Sequence, residues 1–335
     1  MIKNKIKYNA WLHWHITPRC NLHCKYCFFN PNSKNKNGKH FFMDRLKNLR
    51  IKLILPILWS FTEGILKGDY DMLKIMEYLS KKIDCNRQSL INTESLLRVL
   101  DNTNKIFRIS FTGGEPFLIS NIVEACKKIT KKHYLSFNTN LTSDRIKDFA
   151  CKINPKKTAF IVASLHIKEL ERLNLLEKYI ENFRLLKKKG FNIHAIAVAH
   201  PSLLKEVDDY KNYFLKKGIK IKFDPFIGEF NGKFYPGSYS NEELCMIGIE
   251  KSHLNKYVRT NVLCNAGYNA AVVDSEGTVV SCYAIREYLG NIYKKIEFKK
   301  NLLKCNLKVC NCPLYAYDKD LYELALKEQL NDKLR

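Results

Sequence analysis

Three cysteines, Cys20, Cys24 and Cys27, stand at spacing C-x3-C-x2-C in the stretch WHITPRCNLHCKYCFFN. Thiolates so close in sequence serve as ligands to iron–sulfur clusters or to structural zinc. A cubane cluster takes four thiolates, so three leave one iron open to another ligand. The spacing differs from the C-x2-C pairs of structural zinc sites, which stay open as the competing reading. The second group is Gly113-Gly114-Glu115-Pro116, which closes the run RISFT. Two glycines let another group approach the backbone, and a carboxylate beside them can pair with an ammonium; a plain turn is the alternative.

A third group lies in the last third of the chain: Cys264, Cys282, Cys305, Cys310 and Cys312. Between the first two, AAVVD-SEG-TVVSC reads as a β-hairpin with a Ser-Glu-Gly turn, which returns Cys282 towards Cys264. Four or five thiols across a hairpin and a tight loop suit a second cluster, with zinc again the alternative. Cys85, Cys126 and Cys151 are scattered and read as ordinary buried thiols, and Cys245 as structural.

The elements that must position these groups alternate. WLHWHIT, IFRISFTGG, HYLSFNTN, TAFIVASLHI, FNIHAIAVAH and IKIKFDPF read as six strands, with amphipathic helical stretches between the later ones. The longest helical stretch, KELERLNLLEKYIENFRLLKKKG, reads as one helix. Alternating β and α argues for a parallel sheet flanked by helices, open or curled into a barrel. The cysteine loop and GGEP both follow strands, so both open on the rim where α/β sites form. Residues 31–105 read as a mostly helical insertion, and GEFNGKFYPGSYSNEE as a Gly/Pro/aromatic linker that opens a cysteine-rich region at 229–335. The Cys264–Cys282 hairpin, coming after the last barrel strand, is expected to fold over the open rim. His13, His15 and His194 fall within strands and read as packing residues; Asp224 and Glu229, at and beyond the end of the last strand, are minor candidates for substrate contact.

The chain has 335 residues, 46% hydrophobic, enough for a core, and wholesale disorder is excluded. No apolar run approaches the roughly 20 residues of a membrane span, and the basic start has no signal-peptide core. The expectation is a soluble cytoplasmic protein without a membrane partner. Twelve cysteines in a reducing compartment then point to metal or redox chemistry before disulfides. The net charge of +24 suits an anionic partner, although lysines on helix faces account for much of it, and nucleic acid is not the expected partner.

The cysteine loop and GGEP together resemble the radical S-adenosylmethionine (SAM) enzymes, with Tyr26 filling the aromatic place of C-x3-C-x-aromatic-C. The resemblance spans about residues 11–226, leaves 31–105 unmatched, and implies a partial (βα)6 barrel over 1–228. It implies that Cys20, Cys24 and Cys27 hold a 4Fe-4S cluster whose fourth iron is chelated by SAM. A 5′-deoxyadenosyl radical then abstracts hydrogen from the substrate. Glu115 and the Gly113–Gly114 backbone would hold the methionine amino group, beside Pro116, and Tyr26 would lie along the adenine. Asn138 and Asn140, in FNTN, would bond ribose or methionine; Ser164, in VASLH, would reach the ribose, and His166 would face substrate or cofactor, with local turn capping as the alternative for each. The last third resembles the SPASM/Twitch extension: Cys264, Gly277 and Cys282 match its opening, but the later cysteines are too few for its seven-cysteine form. That implies a small Twitch-like domain of hairpin plus helix with a second 4Fe-4S auxiliary cluster, completed by two of Cys305, Cys310 and Cys312, with Cys310 and Cys312 favoured. The expected activity is oxidation of a small anionic metabolite such as a sugar or nucleotide sugar, fed by a one-electron reductant such as flavodoxin or ferredoxin. The alternative is a maturase acting on a ribosomally made peptide or protein.

Overall fold

The computed structural model describes residues 7–27, 90–251, 254, 263–305 and 319–333. The chain forms two compact units, one of Met1–His23 with Leu90–Arg335 and one of Cys24–Ser89. Most of the expected insertion lies outside the described residues, as do Cys85, Cys310 and Cys312; its last part forms helix α1 (Thr93–Asp101). Among the described residues, no helix is long and apolar enough to cross a membrane.

The first unit is built on a ten-stranded sheet. Six neighbouring strands run parallel: β1 (Ala10–Thr17), β2 (Phe107–Gly113), β3 (Tyr134–Thr139), β4 (Thr158–Ser164), β5 (Ile193–Ala199) and β6 (Ile221–Pro225). Helices α2 (Ile122–Ile129), α3 (Arg145–Lys152), α4 (Ile167–Arg172), α5 (Leu176–Lys188) and α6 (Val207–Lys216) connect them. This is the α/β alternation expected from the sequence, with a mostly parallel central sheet. Because all six strands point the same way, their C-terminal ends share one edge, which carries the sequence motifs.

Period two gives the sheet two chemically different faces. Leu12, Trp14, Ile109, Phe111, Leu135 and Phe137 are all buried and point to the helices. Phe137 lies 5.2 Å from both Phe111 and Phe149 and 5.1 Å from Phe117 between ring centroids. The residues between them form a polar face that is also largely buried. There Trp11 Nε1 donates to Ser110 Oγ at 2.7 Å, and the Ser110 and Ser136 hydroxyls bond each other. Arg108 Nη1 donates to Tyr8 Oη at 2.8 Å, with its guanidinium over the Tyr8, Trp11 and Phe160 rings.

The remaining elements depart from the sequence expectation in three places. The expected single helix after β4 breaks into α4 and α5 at Asn174, whose φ of 55° is left-handed and ends the first segment. Asparagine tolerates that conformation better than most residues. The expected linker contains a hairpin of β7 (Gly228–Phe230) and β8 (Lys233–Tyr235), turned by Asn231 and Gly232, both at positive φ. Asn-Gly is the favoured two-residue hairpin turn, so that signal was present in the sequence. Helix α7 (Asn241–Ile247) follows, with Ser240 and Glu243 in a reciprocal capping box.

The third departure concerns the C-terminal strands. These are β9 (Leu263–Cys264), β10 (Ala270–Val273), β11 (Thr278–Val280), β12 (Tyr288–Asn291), β13 (Lys295–Ile296) and β14 (Leu303–Lys304). The β10–β11 hairpin forms as expected, but it does not fold over the rim. β10 lies parallel to β1, from Trp11 opposite Ala270 to Trp14 opposite Val273, and extends the sheet through β11, β12 and β13. All of β10 is buried, and it satisfies the backbone edge that β1 would otherwise expose. β11 then runs back, so Cys282 joins Trp11, Ala270 and Leu321 of helix α8 (Lys319–Lys333) in one apolar cluster. The span from Trp11 to Thr17 is about 20 Å of strand. Cys282 therefore sits at the end of the sheet opposite the rim. Residues 229–335, read from sequence as a linker and a cysteine-rich domain, fall in the same compact unit as the barrel strands.

Phe137 is 1% exposed at the centre of the aromatic cluster. Phe137→Ala is expected to cost about 3–5 kcal/mol, measured as a lowered urea midpoint with an unchanged m-value.

Candidate active site

Cys20 follows β1 after a short polar turn, and the end of β2 is stitched to that turn. Gly114 N–H donates to the Thr17 carbonyl at 2.6 Å and Glu115 N–H to the Arg19 carbonyl at 2.8 Å. Such proximity requires the glycines. A Cβ on Gly114 would stand 1.9 Å from the Arg19 carbonyl oxygen; one on Gly113, at φ +118°, would stand 2.4 Å from that of Thr17. Pro116 opens a short 3-10 turn (Pro116–Leu118) whose first free N–H, that of Phe117, is capped by Glu115.

Glu115 is 1% exposed. Its Oε1 accepts from Phe117 N–H at 3.0 Å and from Thr139 Oγ1 at 2.7 Å, and its Oε2 accepts from Asn140 N–H at 2.7 Å. Burial pushes its pKa up to about 7, while the Asn140, Thr139 and Phe117 donors hold it down. The side chain thus ties the end of β2 to the end of β3. The carboxylate is thus engaged by three donors of the chain itself.

Asn140 is likewise 3% exposed and engaged by the chain. Its Oδ1 accepts from Thr142 N–H and Oγ1; its Nδ2 donates to Asn21 Oδ1 at 3.0 Å and to Cys20 Sγ at 3.8 Å. Asn138 sits on the polar face, its amide 3.5 Å from Thr112 Oγ1. Ser164 ends β4, half-buried and paired with Ile196 of β5. His166 precedes α4, and burial lowers its pKa to about 4, so its imidazole is neutral near pH 7. Cys20, Gly113–Pro116, Asn138, Asn140, Ser164 and His166 thus all lie at the C-terminal ends of β1 to β4. Cys24, Tyr26 and Cys27 belong to the second unit, where Cys27 N–H donates to the Cys24 carbonyl at 3.1 Å.

The donor chemistry fits a thiolate-held group at Cys20, whose sulfur also accepts the Leu22 N–H at 3.4 Å. In the last third, Cys264 Sγ accepts Ala266 N–H at 3.5 Å and Cys282 Sγ accepts Ile285 N–H at 3.2 Å. β14 pairs with β9, Leu303 opposite Cys264, which places Cys305 two positions along the strand from that pair. Among the described residues no three His, Cys, Asp or Glu side chains stand together as a site for one metal ion. A cubane instead spreads its thiolates over separate irons.

Sequence reasoning missed Tyr283. Its hydroxyl lies 2.7 Å from both His13 Nδ1 and His15 Nε2. Burial, then His15 and Arg108, holds His13 well below its usual pKa; burial, then Arg286, lowers His15 to about 4. With one hydroxyl proton, Tyr283 donates to one neutral ring and accepts from the other. His13 and His15 are therefore members of a polar network on the face that opens towards the rim.

The Radical SAM superfamily pattern matches residues 14–214. The chain belongs to the radical SAM superfamily. Members of this family are enzymes that modify substrates by radical chemistry, using a 4Fe-4S cluster and SAM. The fold is similar to that of anSMEcpe with bound AdoMet, at 20% identity and TM-score 0.51, covering 85% of this chain and 78% of that one. A structure of anSMEcpe with AdoMet and the Kp18Cys peptide matches at 19% identity and TM-score 0.50, with the same coverage of 85% and 78%. SuiB of Streptococcus suis bound to S-adenosylmethionine matches at 14% identity and TM-score 0.49, over 95% of this chain and 68% of that one. No curated protein matches in sequence.

In this radical SAM enzyme the Glu115 carboxyl titrates at about 7 folded against 4.5 unperturbed, so the folded state binds the extra proton. Its contribution to stability is therefore full below pH 4.5 and is lost as pH rises through 7. The advantage of wild type over Glu115→Gln is expected to be larger at pH 5 than at pH 8, by up to roughly 3 kcal/mol in urea unfolding. An advantage that instead grew with pH would mean that the three donors keep the buried carboxylate ionised.

Proposed function

We propose that Cys20, Cys24 and Cys27 hold a 4Fe-4S cluster and that SAM binds across the rim formed by the ends of β1 to β4. The observation that carries this reading is the stitching of Gly114 and Glu115 to the turn before Cys20, which ties the two motifs to one place. When bound, the reduced cluster and SAM supply a 5′-deoxyadenosyl radical able to take hydrogen from an unactivated carbon. The chain's own residues supply orientation. The carbonyls of Gly113 and Gly114 lie on the rim to accept from the methionine amino group, with the Glu115 side chain holding the turn from beneath. Asn138 and Ser164, on the polar face at the ends of β3 and β4, are the candidates for ribose contact. Tyr26 is the candidate for contact with adenine, and neutral His166 for substrate. An external one-electron reductant such as flavodoxin or ferredoxin feeds the cluster.

A second 4Fe-4S cluster is proposed at Cys264 and Cys282, in a Twitch-like region, completed from Cys305, Cys310 and Cys312. The backbone N–H donors to the Cys264 and Cys282 sulfurs support it, and the β9–β14 pairing adds Cys305 to the two favoured cysteines. For substrate, the net charge of +24 supports a small anionic metabolite. A peptide is supported about equally by the likeness to anSMEcpe, a structure of which holds a peptide. Turnover assays with nucleotide sugars and with cysteine-containing peptides separate the two by which one acquires a new mass.

Anaerobic reconstitution is expected to load about eight irons per chain. Replacing Cys20, Cys24 and Cys27 together by alanine should leave about four irons and abolish SAM cleavage, read as loss of 5′-deoxyadenosine. Unchanged iron in that variant would remove the assignment.

A further inference from the structure

The least expected contact at the rim is the one between Asn140 and Cys20. Asn140 sits one residue past β3 and is 3% exposed, so each of its polar atoms needs a partner. Its Oδ1 takes two donors, the Thr142 N–H at 3.0 Å and the Thr142 hydroxyl at 2.7 Å, which fills the two lone pairs of a carbonyl. This fixes the orientation of the amide. Flipped, its NH2 would face the Thr142 N–H, donor against donor. The NH2 is therefore turned towards the cysteine loop, where its two hydrogens go to Asn21 Oδ1 and Cys20 Sγ.

The amide is held from both sides. Behind it, Asn140 N–H is fixed on Glu115 Oε2 at 2.7 Å. In front, Asn21 Nδ2 donates to Thr142 Oγ1 at 2.8 Å, closing a ring that runs through Asn21, Thr142 and Asn140 back to the residue beside Asn21. The loop itself is held by the Thr17 and Arg19 carbonyls. All of these residues lie in one compact unit. Both hydrogens of the Asn140 amide thus have partners within the chain.

A neutral thiol is a weak acceptor, whereas a thiolate is a strong one, and the bond strengthens as charge on the sulfur grows. We infer that Asn140 is a positioning residue for the cysteine loop whose amide N–H, aimed at Cys20 Sγ, raises the reduction potential of the cluster bound there. One-electron reduction adds negative charge that the cluster shares with its sulfurs. A donor to Cys20 Sγ then stabilises the reduced form more than the oxidised form, as hydrogen bonds to cluster sulfurs do generally. The bond would thus ease the uptake of the electron on which SAM cleavage depends. This rests on the reading of Cys20 as a cluster ligand.

The test is anaerobic potentiometry of the reconstituted full chain, following the reduced-cluster EPR signal that SAM perturbs, with iron counted in each sample. Asn140→Ala removes the donor. Asn140→Asp keeps the size and the acceptor facing Thr142 but puts an anionic oxygen where the NH2 stood. Both are expected to retain the wild-type iron content and to shift the midpoint to lower potential, Asn140→Asp further than Asn140→Ala. Full iron with an unshifted or raised midpoint in either variant overturns the inference while leaving Cys20 as a ligand. Loss of the SAM-responsive signal from both variants makes Asn140 purely structural and also overturns it. A wild-type chain that forms no SAM-responsive cluster overturns the reading of Cys20 and this inference together.

Discussion

Two backbone hydrogen bonds decide where everything at the rim stands: Gly114 to Thr17 and Glu115 to Arg19. They join the turn after the first strand to the turn after the second at a distance that no side chain tolerates, because a Cβ at Gly114 would lie 1.9 Å from the Arg19 oxygen. The glycines are thus needed for contact within the chain before any ligand is considered. Once that contact forms, Cys20 has a fixed point of departure, and the Gly113 and Gly114 carbonyls have a fixed direction.

The same economy explains the acidic residue in the motif. A carboxylate placed out of water is tolerated only when donors surround it, and Glu115 has three, from Phe117, Thr139 and Asn140. Those donors come from the following 3-10 turn and from the end of the third strand. This one side chain therefore sets the relative positions of two consecutive strand ends, and the backbone N–H of the same residue adds the turn after the first strand. Asn140 carries the linkage one step further, from the carboxylate to the sulfur of Cys20. The rim is a continuous chain of hydrogen bonds laid over an aromatic core, and its rigidity comes from burial on both sides.

How much of this was legible in the sequence depends on the range of the interaction. The six parallel strands were readable because apolar and polar residues alternate in segments such as WLHWHIT, and that alternation is a local property. The motifs were readable by spacing, again locally. The helix break at Asn174 was not, because the flanking residues are good helix formers and only the left-handed φ marks it. The Asn231-Gly232 turn was readable and was hidden only by its Gly/Pro/aromatic surroundings. The roles of Tyr283, His13 and His15 were out of reach: the contacts join residues 268 and 270 positions apart, and nothing near Tyr283 marks its partners. For Asn140 the local bond to Thr142 was within reach as turn capping, whereas its contacts with Asn21 and Cys20, 119 and 120 positions away, follow from tertiary packing.

The placement of β10 against β1 has a consequence for how the molecule comes into being. β1 leaves the ribosome before the other strands of its sheet, and it ends up in the interior of that sheet, between β2 and β10. Its partner on one side arrives early; on the other, Trp14 waits for the Asp274 carbonyl, 260 residues later. Until β10 emerges, β1 therefore presents one unpaired backbone edge and half-covered tryptophans. Contacts of such long sequence separation slow folding, and exposed strand edges invite association with other chains. The strand that carries the cysteine loop gains its second neighbour only once β10 has been made, so a molecule lacking β10 has the motif without the sheet that supports it.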